Sequence, residues 1–272
     1  MPKPKITVTP PSSVKIDFKE FWNYRELLYF FTWRDIKVKY KQTFLGIGWV
    51  IIQPLGFMLL FTIIFSRNLH VQTNSIPYPV FVLSGMILWN LFQSVVSNAA
   101  ESVTQASPMI RKIYFPRLIL PLSSLLAALL DFLISICLFF VVVLIYKTEL
   151  NWYAVLFIPA SIIVTAIISI GLGLWLSALT VRFKDFKYLL PFFLQLVFFS
   201  SSIVYPIFSI QSTTLKQVFA LNPLNAAIEL FRYSFTKTIE WPMVIIGIIT
   251  AIFVAISGLL YFKKTEIFFA DL

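Results

Sequence analysis

The feature that most limits this 272-residue chain is a set of apolar runs, at about 44–65, 79–100, 118–146, 152–180, 189–205 and 241–262. A helix needs about 20 mostly apolar residues to cross the hydrocarbon of a bilayer. All six are taken as spans, the fifth being short and the third and fourth long. In lipid every backbone polar group must be satisfied within the protein, which leaves helices or closed barrels as the spanning structures. Runs this long are helical in length. Only 12% of the residues are charged, against about 25% in a soluble domain, so too little polar surface remains to coat a water-borne globule. The expected fold class is an all-α integral membrane protein with six transmembrane helices, the membrane domain covering 44–262.

The 22 lysines and arginines are placed unevenly. Nine lie in 1–43. Arg111, Lys112 and Arg117 follow the second run, Arg182, Lys184 and Lys187 follow the fourth, and Lys263 and Lys264 lie in the tail 263–272, making seventeen at one end. The other end holds Arg67, Lys147, Lys216, Arg232 and Lys237. Cytoplasmic loops are enriched in Lys and Arg, so both termini are expected in the cytoplasm. The net charge of +10 then reflects orientation and attraction to anionic headgroups. Nucleic-acid binding would need basic residues gathered on one face; here they are dispersed between runs, and no nucleic-acid partner is expected. Residues 1–17, rich in Pro and Lys, read as a flexible cytoplasmic N-terminus and not as a signal peptide. The single cysteine, Cys137, lies inside the third run and leaves no disulfide to form.

Between the flexible start and the first run, 18–43 mixes aromatics with charges. Phe21, Tyr24, Leu28 and Phe31 fall on one helical face, and Trp22, Tyr24, Tyr29 and Trp33 suit the headgroup region. An amphipathic helix lying on the cytoplasmic membrane surface is expected; a surface helix packed on protein is the alternative. The loop ESVTQASPMIRKIYFPRLILP at 101–121 either fixes topology through its charges alone, or uses Pro108 to start a short helix whose Ile110, Tyr114 and Phe115 dock into another protein's groove. Residues 206–240 are too apolar for an aqueous loop, with Phe208, Ile210, Leu215, Val218, Phe219 and Leu221 in sequence. Two short re-entrant helices, broken at Asn222-Pro223, are expected there. Non-helical backbone at that depth needs protein or a water-filled cavity around it, which points to a pore.

Material for catalysis is scarce. His70 is the only histidine, and no G-x-x-x-x-G-K-[ST] sequence exists to cradle ATP. No enzyme activity, metal or cofactor of the chain's own is expected. Asp131 lies inside the third run. Intramembrane charges are costly and are functional candidates; fixing helix contacts, or a place nearer the interface, would also explain it. Gly171 and Gly173 suggest close helix approach. Aromatics are abundant, and Trp49, Phe57, Phe61 and Phe65 are spaced to share one broad helical face. With Phe193, Phe198 and Tyr205 of the fifth run they make a candidate channel lining, because aromatic faces stack on the apolar face of sugar rings. Packing or lipid contact is the alternative.

Several segments together resemble one family. The run Arg34-Asp35-Ile36-Lys37-Val38-Lys39-Tyr40-Lys41-Gln42-Thr43, with Leu45-Gly46 and Trp49, is similar to the approach to the first span of ABC-2 type polysaccharide export permeases. Ile110-Arg111-Lys112-Ile113-Tyr114-Phe115-Pro116-Arg117 through Pro121 resembles their loop after span 2. Tyr205-Pro206, Asn222-Pro223-Leu224 and Phe231-Arg232 resemble their pattern before the last span. Arg182-Phe183-Lys184-Asp185 departs from the Arg-Asp pair more usual in their inner loop. The resemblance runs from about residue 20 to the C-terminus and is nearest to the O-antigen exporters of the Wzm type, with teichoic-acid and capsule exporters close by.

The resemblance implies a homodimeric permease in the bacterial inner membrane, paired with two copies of a separate ATPase subunit that binds ATP and Mg. It implies a coupling helix at Pro108, Ile110, Arg111, Lys112, Tyr114, Phe115 and Pro116. It implies a cargo of polysaccharide linked to a polyprenyl diphosphate, met at the membrane interface by Arg34, Lys37, Lys39 and Tyr40. The re-entrant element, with Asn222, Pro223 and Arg232, would act as a gate. Export of a lipid or drug, a membrane-embedded transferase and a passive assembly subunit are the other readings.

Overall fold

A computed structural model describes residues 18–41, 44–68, 73, 76–207, 212–236 and 238–271. The expectations for 1–17, His70, Phe208 and Ile210 lie outside the described residues. The described chain runs through α1 (Phe18–Asn23), α2 (Arg25–Tyr40), α3 (Gly48–Phe61) with a π-helical continuation Thr62–Asn68, α4 (Tyr78–Gln105), α5 (Ser107–Ile110) and α6 (Ile119–Ile145). Then come α7 (Ala154–Arg182), α8 (Phe186–Phe199), α9 (Thr213–Ala220), α10 (Pro223–Thr236) and α11 (Trp241–Thr265), closed by a 3₁₀ segment, Glu266–Asp271.

Among the described residues, five helices are long and apolar enough to cross a membrane: Gly48–Ser66, Tyr78–Gln105, Ile119–Ile145, Ala154–Arg182 and Trp241–Thr265. The run expected as the fifth span, 189–205, forms only α8, which has 14 residues. Its helix stops where serines begin. Ser200 and Ser201 turn their hydroxyls back to the Val197 carbonyl, at 3.0 and 2.6 Å, in the local competition with helix bonding typical of serine. Residues 200–207 then run on mostly as turns and bends. α6 ends more regularly. Lys147 adopts a left-handed φ of 49°, and Thr148 N–H donates to Val143 O at 3.1 Å, which closes a Schellman motif.

α4 is the hub, packed by α3, α6, α7 and α10. In its most apolar window 78% of residues are buried, against 11% for Gly48–Ser66, which therefore lies at the perimeter. In lipid the hydrophobic effect does not drive helices together, so close contact has to come from shape. Glycines supply it. A Cβ on Gly171 would stand 2.7 Å from the Ala255 Cα, one on Gly173 2.7 Å from the Ala99 Cβ, and one on Gly258 would overlap the Gly171 carbonyl oxygen. Gly258→Val is expected to force α11 off α7 and to destabilise the protein by about 1–3 kcal/mol, seen as a lower melting temperature in detergent. Unchanged melting would show that the two helices do not depend on this contact.

Two main cores result. The larger follows the spans. The second gathers at the basic end of the bundle, where Phe31 of α2 and Phe115 of the loop after α5 meet Leu174 and Ala178 of α7, Phe262 of α11 and Phe269 of the last segment.

Candidate functional site

α4 carries a polar stripe. Asn90, Ser94 and Asn98, each four residues apart, share one face, and Gln93 and Ser97 flank it. This stripe forms one wall of a cavity of about 840 Å³ towards the basic end, between α2, α3, α4 and α6. α3 contributes Trp49 and Gln53 to it, and α6 contributes Asp131. The sequence reading missed the stripe, although its i, i+4 spacing was visible, because the surrounding residues make the run apolar on average.

α2 closes the cavity. Phe31 anchors it in the basic-end core. One turn on, Asp35 accepts from Ser123 Oγ at 3.2 Å and takes the Arg34 guanidinium through Nε at 3.0 Å and Nη2 at 2.7 Å. A further turn brings Lys39 and Tyr40 onto the Asp131 carboxylate, the lysine as an ion pair and the phenol as a hydrogen-bond donor. Burial first, and the bond to Asp131 second, push the Tyr40 hydroxyl above its ordinary value, so it stays protonated and able to donate. Asp131 is thus bound from α2. The segment expected as one helix flat on the membrane surface divides into α1 and α2; α2 packs along α6, and Trp22 of α1 and Tyr29, Phe30 and Trp33 of α2 are exposed.

Three of the four residues expected at the diphosphate, Arg34, Lys39 and Tyr40, line this cavity. Lys37 does not. Its Nζ lies 5.2 Å above the Trp33 ring on the exposed side of α2.

The seven aromatics expected as one lining divide. Among them Trp49 alone borders the cavity in the described residues. Phe57 stacks on Phe61 at 6.0 Å, Phe61 meets Phe65 at 6.0 Å and Phe198 at 6.2 Å, and Phe198 meets Trp89 at 5.1 Å. This ladder ties α3 to α8 and α4 further from the basic end. The Tyr205 ring meets Phe219 and its hydroxyl donates to Phe199 O at 2.7 Å. Phe193 stands on the exposed side of α8.

Asn222 and Arg232 converge on the non-helical stretch after α8, while Pro223 opens α10. Asn222 caps α10, its Oδ1 accepting from Leu224 N–H at 3.1 Å just before Pro223 in the first turn. Its amide donates to Ser201 Oγ at 3.0 Å. Arg232 was counted among the loop cations; it is instead 2% exposed, because its fork is used inside the protein. Nη1 donates to Ser202 O at 2.6 Å, Nη2 to Ile203 O and Phe81 O at 3.1 Å each, and Nε to Ser84 Oγ at 3.2 Å. Two residues not singled out from the sequence complete the set. Asn225 Oδ1 accepts from Ser202 N–H at 2.7 Å, and Tyr78 donates to Val204 O at 2.8 Å.

The loop after α4 does begin a helix at Ser107-Pro108, but of a single turn. Arg111, Lys112 and Tyr114 are exposed, and Ile110 and Pro116 are half-buried. Phe115 corrects the expectation. At 3% exposure, with its ring 5.7 Å from Phe31, it faces the core and not a partner. Arg117 donates to the Glu266 carbonyl, tying the loop to the C-terminal segment.

Residues 26–236, which include most of α2, the cavity and the Arg232 cluster, match the family described as ABC-2 type transporter. The O-antigen export system permease protein RfbA of Klebsiella pneumoniae is 30% identical over 250 residues, covering 91% of this chain and 95% of that protein. RfbA of Myxococcus xanthus is 29% identical over 208 residues, 76% of this chain and 78% of its own. The polysialic acid transport protein KpsM of Escherichia coli is 28% identical over 208 residues, 73% and 77% of the two chains. With the family match covering most of its length, this chain belongs to the ABC-2 type transporters.

Proposed function

We propose that the chain is the permease of an ATP-driven exporter that moves a lipid-linked polysaccharide of the O-antigen kind across a bacterial inner membrane. The observation that carries this reading is the open, amide-walled cavity between α2 and three membrane-length apolar helices, α3, α4 and α6, in a chain similar to proteins named for O-antigen export and polysialic acid transport. In this reading α8 and the stretch after it make a sixth crossing. α9 and α10 dip back from the outside, and both termini and the basic end lie in the cytoplasm. The exposed apolar flank of α3 and α8, including Leu59, Leu60, Phe192 and Phe199, faces lipid or a second copy. Energy comes from two copies of a separate ATPase subunit, which dock at the exposed Ile113 and Tyr114 beside α5. The lipid's diphosphate stays at the bilayer surface with Lys37, while its sugars enter the cavity. KpsM favours capsule polysaccharide as the second reading of the cargo.

Deleting the gene is expected to remove the surface polysaccharide and to accumulate its lipid-linked precursor inside the cell. Normal surface polysaccharide in the deletion strain would overturn the reading. Within it, the ladder is taken as the wall of the path beyond the cavity, and Phe61→Ala or Phe198→Ala should slow export several-fold through a lost aromatic contact of about 1 kcal/mol, with Trp at either position restoring it. Unchanged export in both variants would assign the ladder to packing alone.

A further inference from the structure

The charges of this protein and the charges of its cavity differ in kind. The chain carries +10, yet the charged side chains among the described residues lining the cavity are Arg34, Asp35, Lys39 and Asp131, which cancel. They cancel locally as well, since Arg34 pairs with Asp35 at 2.7 Å and Lys39 pairs with Asp131. A cation in direct contact with a carboxylate offers little field to a third charge. The rest of the polar wall is amide and hydroxyl, with Gln53, Asn90, Gln93, Ser94, Ser97 and Asn98 among its members. Such groups both donate and accept hydrogen bonds, as sugar hydroxyls do, and Trp49 adds an aromatic face.

Resting on the permease reading, we propose that this cavity is a binding site for an uncharged glycan, and that the Asp131 carboxylate gives it that specificity by neutralising Lys39. A polyanionic chain entering here would give up hydration and meet Asp35 and Asp131 with the matching cations already taken. A second copy of the chain would repeat the same four residues and preserve the balance. The arrangement also accounts for an acid placed in the middle of α6. Without it, Lys39 would stand in the cavity as an uncompensated cation and draw in anions. The cations left exposed, such as Arg111 and Lys112, lie outside the cavity, so its neutrality is local.

The test uses the full chain in nanodiscs of zwitterionic lipid, with the fluorescence of Trp49 read against a Trp49→Phe control. The two probes are a neutral malto-oligosaccharide and a sialic acid oligomer of equal length. Wild-type protein is expected to bind the neutral probe about tenfold more tightly than the anionic one. Asp131→Asn should tighten the anionic probe by about the same factor and make its binding salt-sensitive. The double variant Lys39→Met/Asp131→Leu, which removes both charges, should keep the neutral preference and guards against a single variant that fails to fold. Equal or tighter binding of the sialic acid oligomer by wild type would overturn the proposal. So would failure of wild type to bind either probe, or an Asp131→Asn protein with unchanged anion affinity. The export reading is judged separately by surface polysaccharide in the deletion strain, so the two can fail independently.

Discussion

Arg232→Leu is expected to destabilise the protein by about 3–5 kcal/mol, enough to prevent its purification as a folded species or to lower its melting temperature steeply. The side chain sits on α10, closed off from solvent, with its guanidinium 3.5 Å from the centre of the Phe81 ring. From there it satisfies the carbonyls of Ser202 and Ile203, which belong to backbone without helical partners. In water an orphaned carbonyl turns to solvent. Closed inside the protein, where Ser202 and Ile203 are as buried as Arg232, no such replacement exists, so leucine would leave two buried acceptors unmet and Glu229 without the cation 3.8 Å away. Arg232→Lys should recover only part of the loss, because one ammonium cannot reach the separated acceptors that a planar fork spans. Gly85 shows how tightly the group is held: a Cβ there would lie 3.2 Å from Arg232 Nη2 and 3.1 Å from the Ile203 Cα. Melting of the purified variants in detergent, with protease cleavage mapped near 200–207, reads both effects. A leucine variant that melts like wild type would sink this account.

Arg232 also marks where reading the sequence succeeds and where it stops. Its neighbourhood was visible as a pattern, and the break at Asn222-Pro223 appears where expected because an amide cap and a proline suit a helix start. Charge counting, however, assumes every cation is wet, and nothing local to Phe231-Arg232 says otherwise. Asp131 is the converse. Its oddity was plain from sequence, but its partner Lys39 is 92 residues away, and pairing at that distance is decided by how α2 packs on α6. Apolar runs gave the long helices, since length and composition suffice for that. They overstated the fifth, because residue counts do not register serines competing for helix carbonyls. In the loop after α5, Tyr114 is 67% exposed and Phe115 is buried. Adjacent aromatics in a segment without periodic structure carry no signal that separates them.

Phe31→Ala should cost a further large amount, about 3–5 kcal/mol, for a different physical reason. α7 has 29 residues and at 1.5 Å each is about 43 Å long, against about 30 Å of hydrocarbon, so its ends project towards water. At the basic end, where α2 and the Phe115 loop meet it, burial is again burial from water, and the hydrophobic effect contributes in full. Phe31 is fully buried there, in contact with Phe115 and with Arg34 4.7 Å above its ring. Truncating it removes the anchor that sets α2 in register, and with it the seat of Lys39 on Asp131 two turns further on. Faster amide exchange throughout α2, with α4 still protected, is the expected signature. A phenylalanine on the perimeter provides the contrast: Phe253 of α11 is 71% exposed, and lipid tails replace its contacts almost equally well, so Phe253→Ala should shift melting little. If the two variants melted alike, or α2 exchanged as in wild type after Phe31→Ala, the idea that α2 is held by a water-excluding core would have to be abandoned.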